Sequence, residues 1–374
     1  MPEDQLLIVD AHLDLAMNAI QVNRDLTQPA ATVRTHDSEP VMRKFGSCTV
    51  TFHELRRGSV GVVFGTVISR LDPKENRSDN KEYPFPIRQT IGIEMYTQAQ
   101  CYAIGRGHLA YYQALEREGV IRLIRTTDDL DQVVTSWNNP SSEEPIGLVV
   151  SMECADPIQS PDQVAEWYGL GVRTVSLSHY GVGCYSYGTG TKGGLMSTGK
   201  ELLKTFREFG IIVDVTHLTD QAFWEVLEIY DGPTMASHQN CRALVPGQRQ
   251  LSDEMITAIV DRDGVIGIAL DCWMLDPEWQ REVPSYEQMT KATLETVANH
   301  IDHISQLVGN VRHCALGTDL DGGFGAEQSP RDLNTIADLQ KLRDILGKRG
   351  YQGEDLQNIL SGNWIRFLKE SWSD

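Results

Sequence analysis

The sequence has no long apolar run, and it is poor in basic residues. Its longest apolar stretches are the length of a strand, whereas a membrane-spanning helix needs about 20 apolar residues, so we expect no such helix. The 374 residues include 33 basic and 52 acidic side chains, which gives a net charge of −19. Because nucleic acids and anionic membranes bind basic surfaces, this balance argues against either as a partner.

The sequence also lacks a disulfide pattern, and we expect no secretory signal. Its seven cysteines are odd in number and form no C-x-x-C pair, which favours reduced thiols in a cytosol. We interpret Cys154 and Cys314 as small buried apolar residues. Residues 1–5 are polar and acidic, and no basic segment leads into an apolar one. We therefore expect a cytoplasmic protein.

Short apolar runs alternate with helical patterns along almost the whole chain. Strands are predicted near residues 6–10, 59–68, 146–151, 173–178, 211–216, 233–237, 264–270 and 313–318. Helices are predicted over residues 86–117, 161–169, 199–209, 219–230, 252–262, 286–308 and 334–348. This alternation indicates parallel strands with crossover helices, and eight strands match a closed (β/α)₈ TIM-like barrel.

Three further segments complete the predicted architecture. The apolar run 120–124 is a ninth strand, which we assign to the periphery. Residues 15–58 and 71–85 are too long and too polar for ordinary loops, and both leave the mouth side of the barrel, where insertions usually shape a site. Since no repeat or linker occurs, we expect one hydrolase barrel domain over residues 1–374.

Residues of the kind that bind metals stand at the ends of five predicted strands. Each comes at or shortly after a short apolar run, and the set comprises His12 with Asp14, then Glu153, His217, His238 and Asp319. In a parallel barrel, the carboxyl ends of all strands meet at one mouth. The pattern therefore predicts a metal site at the C-terminal mouth.

The spacing indicates how two ions could be held. Residues i and i+2 of a strand share a face, so His12 and Asp14 can approach one ion. Glu153 has two oxygens and can bridge to a second ion, for which His217 and His238 supply nitrogens. Nitrogen and oxygen ligands without thiolates favour zinc, with manganese and cobalt as alternatives. Two ions that share a hydroxide make a strong nucleophile and polarise a carbonyl.

Asp319 stands where a carboxylate could contact the first ion and its water. Any one of these residues could instead be an ordinary polar group of the barrel rim, but five strand exits together argue against that interpretation. Six other histidines match no strand exit and are interpreted as surface or structural residues: His36, His53, His108, His300, His303 and His313.

Two glycine-rich segments look like phosphate-binding loops but fail the test of context. Residues 188–193 fit G-x-G-x-x-G, yet they follow an aromatic loop and not a strand. Residues 194–200 nearly fit a Walker loop, but Glu201 occupies the Ser/Thr position. We interpret residues 198–201 as a capping box that opens a helix.

These motifs resemble the membrane (renal) dipeptidase family of the amidohydrolase superfamily, almost from end to end. The segments that carry the resemblance are 10–14, Glu153, 177–179, 210–217, 237–238, 242–253 and 317–322, with 52–61 and 361–364 in support. The resemblance implies a TIM-like barrel with a binuclear zinc centre, in which His12 and Asp14 hold one ion, His217 and His238 hold the other, and Glu153 bridges.

The resemblance also implies roles for three further side chains. Asp319 would take a proton from the bridging water and pass it to the leaving amine. His179 would contact the substrate carbonyl and stabilise the oxyanion, and Arg249 would bind the terminal carboxylate, a task suited to a guanidinium. The sequence departs from the family at residues 180–185, where the family usually has an asparagine-containing stretch. The substrate pocket is therefore expected to differ.

We expect a zinc-dependent dipeptidase whose partner is a small dipeptide, with a D-residue tolerated at the C-terminal side and a homodimer allowed. The first alternative is an N-acyl amino acid deacylase that uses the same site. The second is a metal-binding scaffold without catalysis, against which Asp319 and His179 argue. A phosphotriesterase-like esterase is less consistent, because the bridging position holds Glu153 and not a modified lysine.

Overall fold

A parallel barrel of eight strands forms the centre of the molecule, as the alternation of apolar runs predicts. The computed structural model describes residues 5–71, 94–138 and 140–372. The strands are β1 (Ile8–Leu13), β2 (Val60–Ile68), β3 (Ile146–Glu153), β4 (Val172–Ser176), β5 (Ile212–Asp214), β6 (Thr234–Met235), β7 (Ile266–Ile268) and β8 (Cys314–Leu316). They are hydrogen-bonded in the order β7-β8-β1-β2-β3-β4-β5-β6, every pair parallel. A bridge between Ala236 and Ile266 joins β6 to β7 and closes the ring.

The strands are apolar because they are covered on both faces. Every residue of β2 and β3 is buried, as expected for parallel strands enclosed by helices. All eight predicted strands are present, and the surplus run forms a short strand, Ile121–Leu123, that pairs with β3 outside the ring. A second small sheet pairs Arg70–Leu71 with Glu94–Met95. The barrel prediction is therefore confirmed.

Helices surround the barrel. Their bounds are Leu15–Ile20, Ala30–His36, Glu39–Phe45, Phe52–Arg57, Gln98–Arg117, Thr127–Ser136, Val164–Gly169, Ser197–Phe209, Asp220–Ile229, Asp253–Val260, Cys272–Leu275, Leu294–Val308, Lys341–Lys348, Glu354–Gln357 and Asn363–Ser371. A π-helical turn, Asn358–Gly362, joins the last two. Short 3₁₀ turns occupy Pro161–Gln163, Ser285–Glu287, Ala326–Gln328 and Ile336–Gln340. No helix in the described part of the chain is long and apolar enough to cross a membrane.

Several predicted helix starts are wrong, each for a local reason. The helix predicted from residue 86 begins at Gln98, where Thr97 forms a capping box; residues 86–93 lie outside the described residues. The helix predicted from 286 begins at Leu294, after an irregular segment. The capping box predicted at 198–201 does not form, because the helix begins at Ser197 and the Thr198 hydroxyl donates to the Cys184 carbonyl.

The two predicted insertions have different outcomes. The stretch 15–58 is not irregular, since it contains four short helices. Asp321 ties it to the mouth of the barrel: this carboxylate accepts hydrogen bonds from the backbone N–H groups of Thr49 and Val50. Most of the stretch 71–85 lies outside the described residues. The insertion 15–58 is thus a folded segment that is hydrogen-bonded to the mouth of the barrel.

Candidate metal centre and active site

The residues predicted from strand exits lie together at the mouth of the barrel. His12 is in β1 and Asp14 follows it, while Glu153 is the last residue of β3. The other three, His217, His238 and Asp319, each follow the end of their strand by three residues. All are buried except Asp319, whose side chain is 15% exposed. His217 and Asp319 adopt positive φ angles of 68° and 59°, a strained conformation that is common at functional sites.

The carboxylate of Glu153 lies at the centre of the cluster, and its two oxygens face different residues. Oε2 lies 3.5 Å from His12 Nε2. Oε1 lies 3.3 Å from His217 Nε2, 3.4 Å from His238 Nε2 and 3.6 Å from His179 Nε2. On the His12 side, ligand atoms of Asp14 and Asp319 also lie within 4.8 Å of one another and of His12. Two groups of ligand atoms thus share one carboxylate.

Hydrogen bonds behind the rings decide which nitrogen of each histidine carries the proton. The Ser237 hydroxyl donates to Asp214 at 2.5 Å, so its oxygen is free to accept the Nδ1–H of His238 at 2.8 Å. The Thr189 hydroxyl can likewise donate to the His217 carbonyl and accept from His217 Nδ1 at 3.0 Å. With Nδ1 protonated, each Nε2 presents a lone pair to the cluster.

His179 has the opposite tautomer. Arg70 Nη1 lies 2.8 Å from His179 Nδ1, and because a guanidinium only donates, Nδ1 must accept. Neutral His179 therefore carries its proton on Nε2, which faces Glu153 and the cavity. Arg70 is itself held by an ion pair with Glu94 at 2.7 Å. The Nε2 atoms of all three histidines thus lie at similar distances from Glu153 Oε1. Those of His217 and His238 carry lone pairs, whereas that of His179 carries a proton.

Two inner carboxylates brace the strand exits on which the ligands stand. Asp10 accepts from the backbone N–H groups of His12 and Thr318, and so ties β1 to β8. Asp214 accepts from the backbone N–H groups of Thr216 and Ser237, and so ties β5 to β6. These contacts hold neighbouring ligand-bearing exits in register.

The electrostatics of the cluster favour bound cations. Burial, together with the Glu153 charge, raises the pKa of Asp14 to about 7. Burial alone would lower the pKa of His12, but the carboxylates of Glu153, Asp319 and Asp14 raise it to about 10. Burial, aided by Arg249, lowers the pKa of His217 to about 3, so this ring is neutral. The carboxylates thus stabilise positive charge beside His12, and the neutral ring of His217 has a lone pair that can bind a metal.

Two observations test whether metal ions fit these residues. Neither ring nitrogen of His12 has a hydrogen-bond partner among the described residues, although the ring is buried. The Nε2 atoms of His217 and His238 lie 3.2 Å apart, and in the tautomers described above both carry lone pairs. Cations at the cluster would satisfy the Nε2 atoms of His12, His217 and His238, so the donor set fits metal ions.

A cavity of about 470 Å³ opens above the cluster. Asp14, Glu153, His179, His217 and Asp319 reach it from below. Residues that the sequence analysis did not single out line its walls: Arg70, Tyr180, Asp271, Trp273 and Arg281. The strand-exit rule would have found Asp271, which directly follows the predicted strand 264–270. No pattern marked Arg70, because its role depends on a contact with a residue 109 positions away.

Arg249 lies behind His238. It is 1% exposed, and its Nη2 donates to the His238 carbonyl at 2.9 Å. Its Nε and Nη1 have no hydrogen-bond partner within the described ranges. The six histidines interpreted as structural are separate from the cluster; for example, His303 contacts Asp253, and His300 Nδ1 accepts from the Cys241 N–H.

A parallel barrel with histidines and carboxylates gathered at its C-terminal mouth defines a metal-dependent hydrolase of the amidohydrolase type. The family model described as membrane dipeptidase (peptidase family M19) matches residues 3–372. The chain therefore belongs to this family of metallo-dipeptidases, as the sequence motifs indicated.

Individual relatives share between 20% and 31% sequence identity with this chain, as three examples show. An uncharacterised protein from the pqqA 5′ region of Klebsiella pneumoniae is 31% identical over 214 residues, or 55% of this chain and 74% of the relative. An uncharacterised dipeptidase of Schizosaccharomyces pombe is 27% identical over 56% of this chain, and the match spans 49% of that relative. A metallopeptidase from Rhodobacter sphaeroides, solved with a phosphinate mimic of L-Ala-D-Ala, superposes with a TM-score of 0.77 at 20% identity, covering 99% of this chain and all of that one. This last likeness shows the shared fold.

Proposed function

We propose that this protein is a dipeptidase that uses two zinc ions to hydrolyse the amide bond of short dipeptides. The observation that carries the proposal is the position of Glu153, whose Oε2 faces His12 while its Oε1 faces His217 and His238. A single ion would not need both oxygens of one carboxylate directed at different histidines. Imidazole and carboxylate donors without thiolates favour zinc.

In this proposal, His12 and Asp14 would hold one ion, His217 and His238 would hold the other, and Glu153 would serve both. Asp319 Oδ1 lies 3.8 Å from His12 Nε2 and would therefore stand beside the first ion. When bound, two such ions make a water nucleophilic near neutral pH and polarise the scissile carbonyl.

The remaining chemistry belongs to side chains of this protein. Burial and the neighbouring carboxylates raise the pKa of Asp319 well above its usual range, which suits a group that accepts a proton and returns it to the leaving amine. His179 directs Nε2–H toward the cluster, where it can donate to the developing oxyanion. The family resemblance assigns Arg249 to the substrate's terminal carboxylate; its Nε and Nη1 are unpartnered behind His238, but the residue does not line the cavity.

Metal analysis and a substrate panel test the proposal together. Protein purified without chelator should contain close to two equivalents of zinc, and it should hydrolyse L-L or L-D dipeptides. Glu153→Gln should lose metal from both positions, because the bridging carboxylate serves both. A folded protein that binds no divalent metal, or a metal-replete one that hydrolyses no dipeptide, would contradict the proposal.

A further inference from the structure

Asp271 lies beside Asp319 at the mouth of the barrel. Strands β7 and β8 are neighbours, with Ile268 opposite Leu316. Asp271 and Asp319 each stand three residues beyond this pair, and a hydrogen bond from the Leu270 N–H to the Thr318 carbonyl keeps the two exits together. The two carboxylates therefore enter the cavity from equivalent positions on adjacent strands, and the charge of Asp271 contributes to the raised pKa of Asp319.

The Asp271 carboxylate is buried, and only one of its oxygens is used. Oδ1 accepts hydrogen bonds from Gln328 Nε2 at 2.8 Å and from the Trp273 N–H at 3.2 Å. Within the described residues, Oδ2 has no hydrogen-bond partner, and no lysine or arginine forms an ion pair with Asp271. The Arg281 guanidinium is stacked 3.9 Å above the Trp273 ring, and its charge opposes part of the rise that burial causes in the pKa of Asp271. The residue is 6% exposed and lines the cavity.

An anionic oxygen that opens into a largely enclosed cavity without a hydrogen-bond partner is poorly solvated, and a cationic group of a ligand offsets that cost. Burial raises the pKa of Asp271 to about 6, so the group is still predominantly ionised at neutral pH. Asp271 is not one of the proposed metal ligands, and its Oδ1 contacts hold the carboxylate in place. Oδ2 is therefore the oxygen available to a positively charged part of the substrate.

We propose that Asp271 binds the protonated α-amino group of the substrate. The inference rests on the proposed dipeptidase function and narrows it to substrates with a free amino terminus. In a dipeptide, the ammonium is separated from the scissile carbonyl by a single carbon, so a carboxylate next to Asp319 is within reach of it. An N-acyl amino acid has no such cation, and its acyl group would leave Asp271 buried and unpaired.

The variant Asp271→Asn tests this assignment, since it removes the charge and keeps an oxygen for the Oδ1 contacts. For an alanyl dipeptide with a free amine, kcat/KM should fall by about 10- to 100-fold, the loss typical of one charged hydrogen bond. For the N-acetylated dipeptide, already a poor substrate, kcat/KM should stay the same or rise. The preference of the unmodified enzyme for the free amine should therefore collapse.

Asp276→Asn is the matched control. Asp276 is also a buried aspartate of this segment, but it accepts from the Glu278 and Lys291 N–H groups and does not line the cavity. Its replacement should lower the melting temperature without changing the ratio of free to acetylated substrate. Calorimetry with a phosphinate dipeptide analogue, free or N-acetylated, should give the same pattern in affinity, with unchanged metal content.

Each other result would overturn the assignment. Equal losses on free and acetylated substrates would give Asp271 a structural role. A loss confined to lysyl dipeptides would move the contact to a basic side chain. If the unmodified enzyme prefers N-acyl amino acids, the deacylase alternative holds and Asp271 does not select an amine. If the metal-replete enzyme hydrolyses neither dipeptides nor N-acyl amino acids, the proposed function itself is wrong. If Asp271→Asn binds the free phosphinate analogue as tightly as the unmodified enzyme does, only the assignment of Asp271 is wrong.

Discussion

Replacing Arg70 by methionine should remove the contact that makes His179 a hydrogen-bond donor. Arg70 Nη1 donates to His179 Nδ1 at 2.8 Å, which keeps the proton of the neutral ring on Nε2. Methionine has similar length but no donor. Without Arg70, the ring can turn or place its proton on Nδ1, and the Nε2 lone pair would then face an oxyanion that needs a donor.

The size of the effect follows from the bond that is lost. A hydrogen bond from a charged group contributes about 1.5–3 kcal/mol, which is one to two decades in rate. Loss of an entire oxyanion donor costs about 10²–10³-fold. Arg70→Met should therefore lower kcat/KM by about 10- to 100-fold, mostly through kcat, and by less than His179→Ala does.

Three measurements check this reasoning. Steady-state kinetics with metal-replete enzyme give the loss in kcat, and Arg70→Lys should recover part of it because an ammonium can still donate. Nitrogen NMR of histidine-labelled protein should report the Nε2–H tautomer of His179 in the unmodified enzyme and its loss in Arg70→Met. Glu94→Gln is the control, since it breaks the Arg70–Glu94 ion pair and leaves the donor to His179 in place.

The double variant supplies the refutation. If Arg70 acts through His179, adding Arg70→Met to His179→Ala should lower kcat little further, because both substitutions remove the same hydrogen bond to the oxyanion. Penalties that add fully, or a metal-replete Arg70→Met enzyme with normal kcat, would show that Arg70 does not position His179.

Three further predictions address the remaining groups of the site. Asp319→Asn should keep both metal ions and lose about 10²–10⁴-fold in kcat, because an amide cannot accept the proton; normal turnover in the metal-replete variant would place the proton elsewhere. Ser237→Ala should weaken metal binding by about 10- to 100-fold in a chelator titration, since His238 loses the acceptor for its Nδ1–H. Arg249→Ala should lower kcat/KM for a free-carboxylate dipeptide by about one to two decades and leave its C-terminal amide nearly unchanged; equal losses on both would mean a structural role.

The ends of the strands could be predicted from sequence because the rule that places them is local. An apolar run followed by a polar residue identifies both the strand and its exit, and barrel closure brings all exits together. That rule alone predicts that His12, Glu153 and Asp319 lie together. It also points to Asp271, which directly follows the predicted strand 264–270.

The helix boundaries and the supporting contacts could not be predicted in the same way. The helix predicted from residue 286 begins at Leu294, because a helical pattern of apolar residues does not reveal where tertiary contacts hold the preceding segment irregular. Arg70 and Asp214 act through residues 109 and 23 positions away, respectively, so their partners are decided by the fold.

The roles of the histidines depend on those supporting contacts more than on the histidines themselves. His217, His238 and His179 place Nε2 at 3.3, 3.4 and 3.6 Å from the same oxygen of Glu153, so distance alone does not separate a metal ligand from a proton donor. The residue behind each ring does. The Ser237 hydroxyl accepts a hydrogen bond from His238, whereas the Arg70 guanidinium can only donate one to His179. Exchanging an acceptor for a donor behind a ring should therefore convert one role into the other, with the histidine left unchanged.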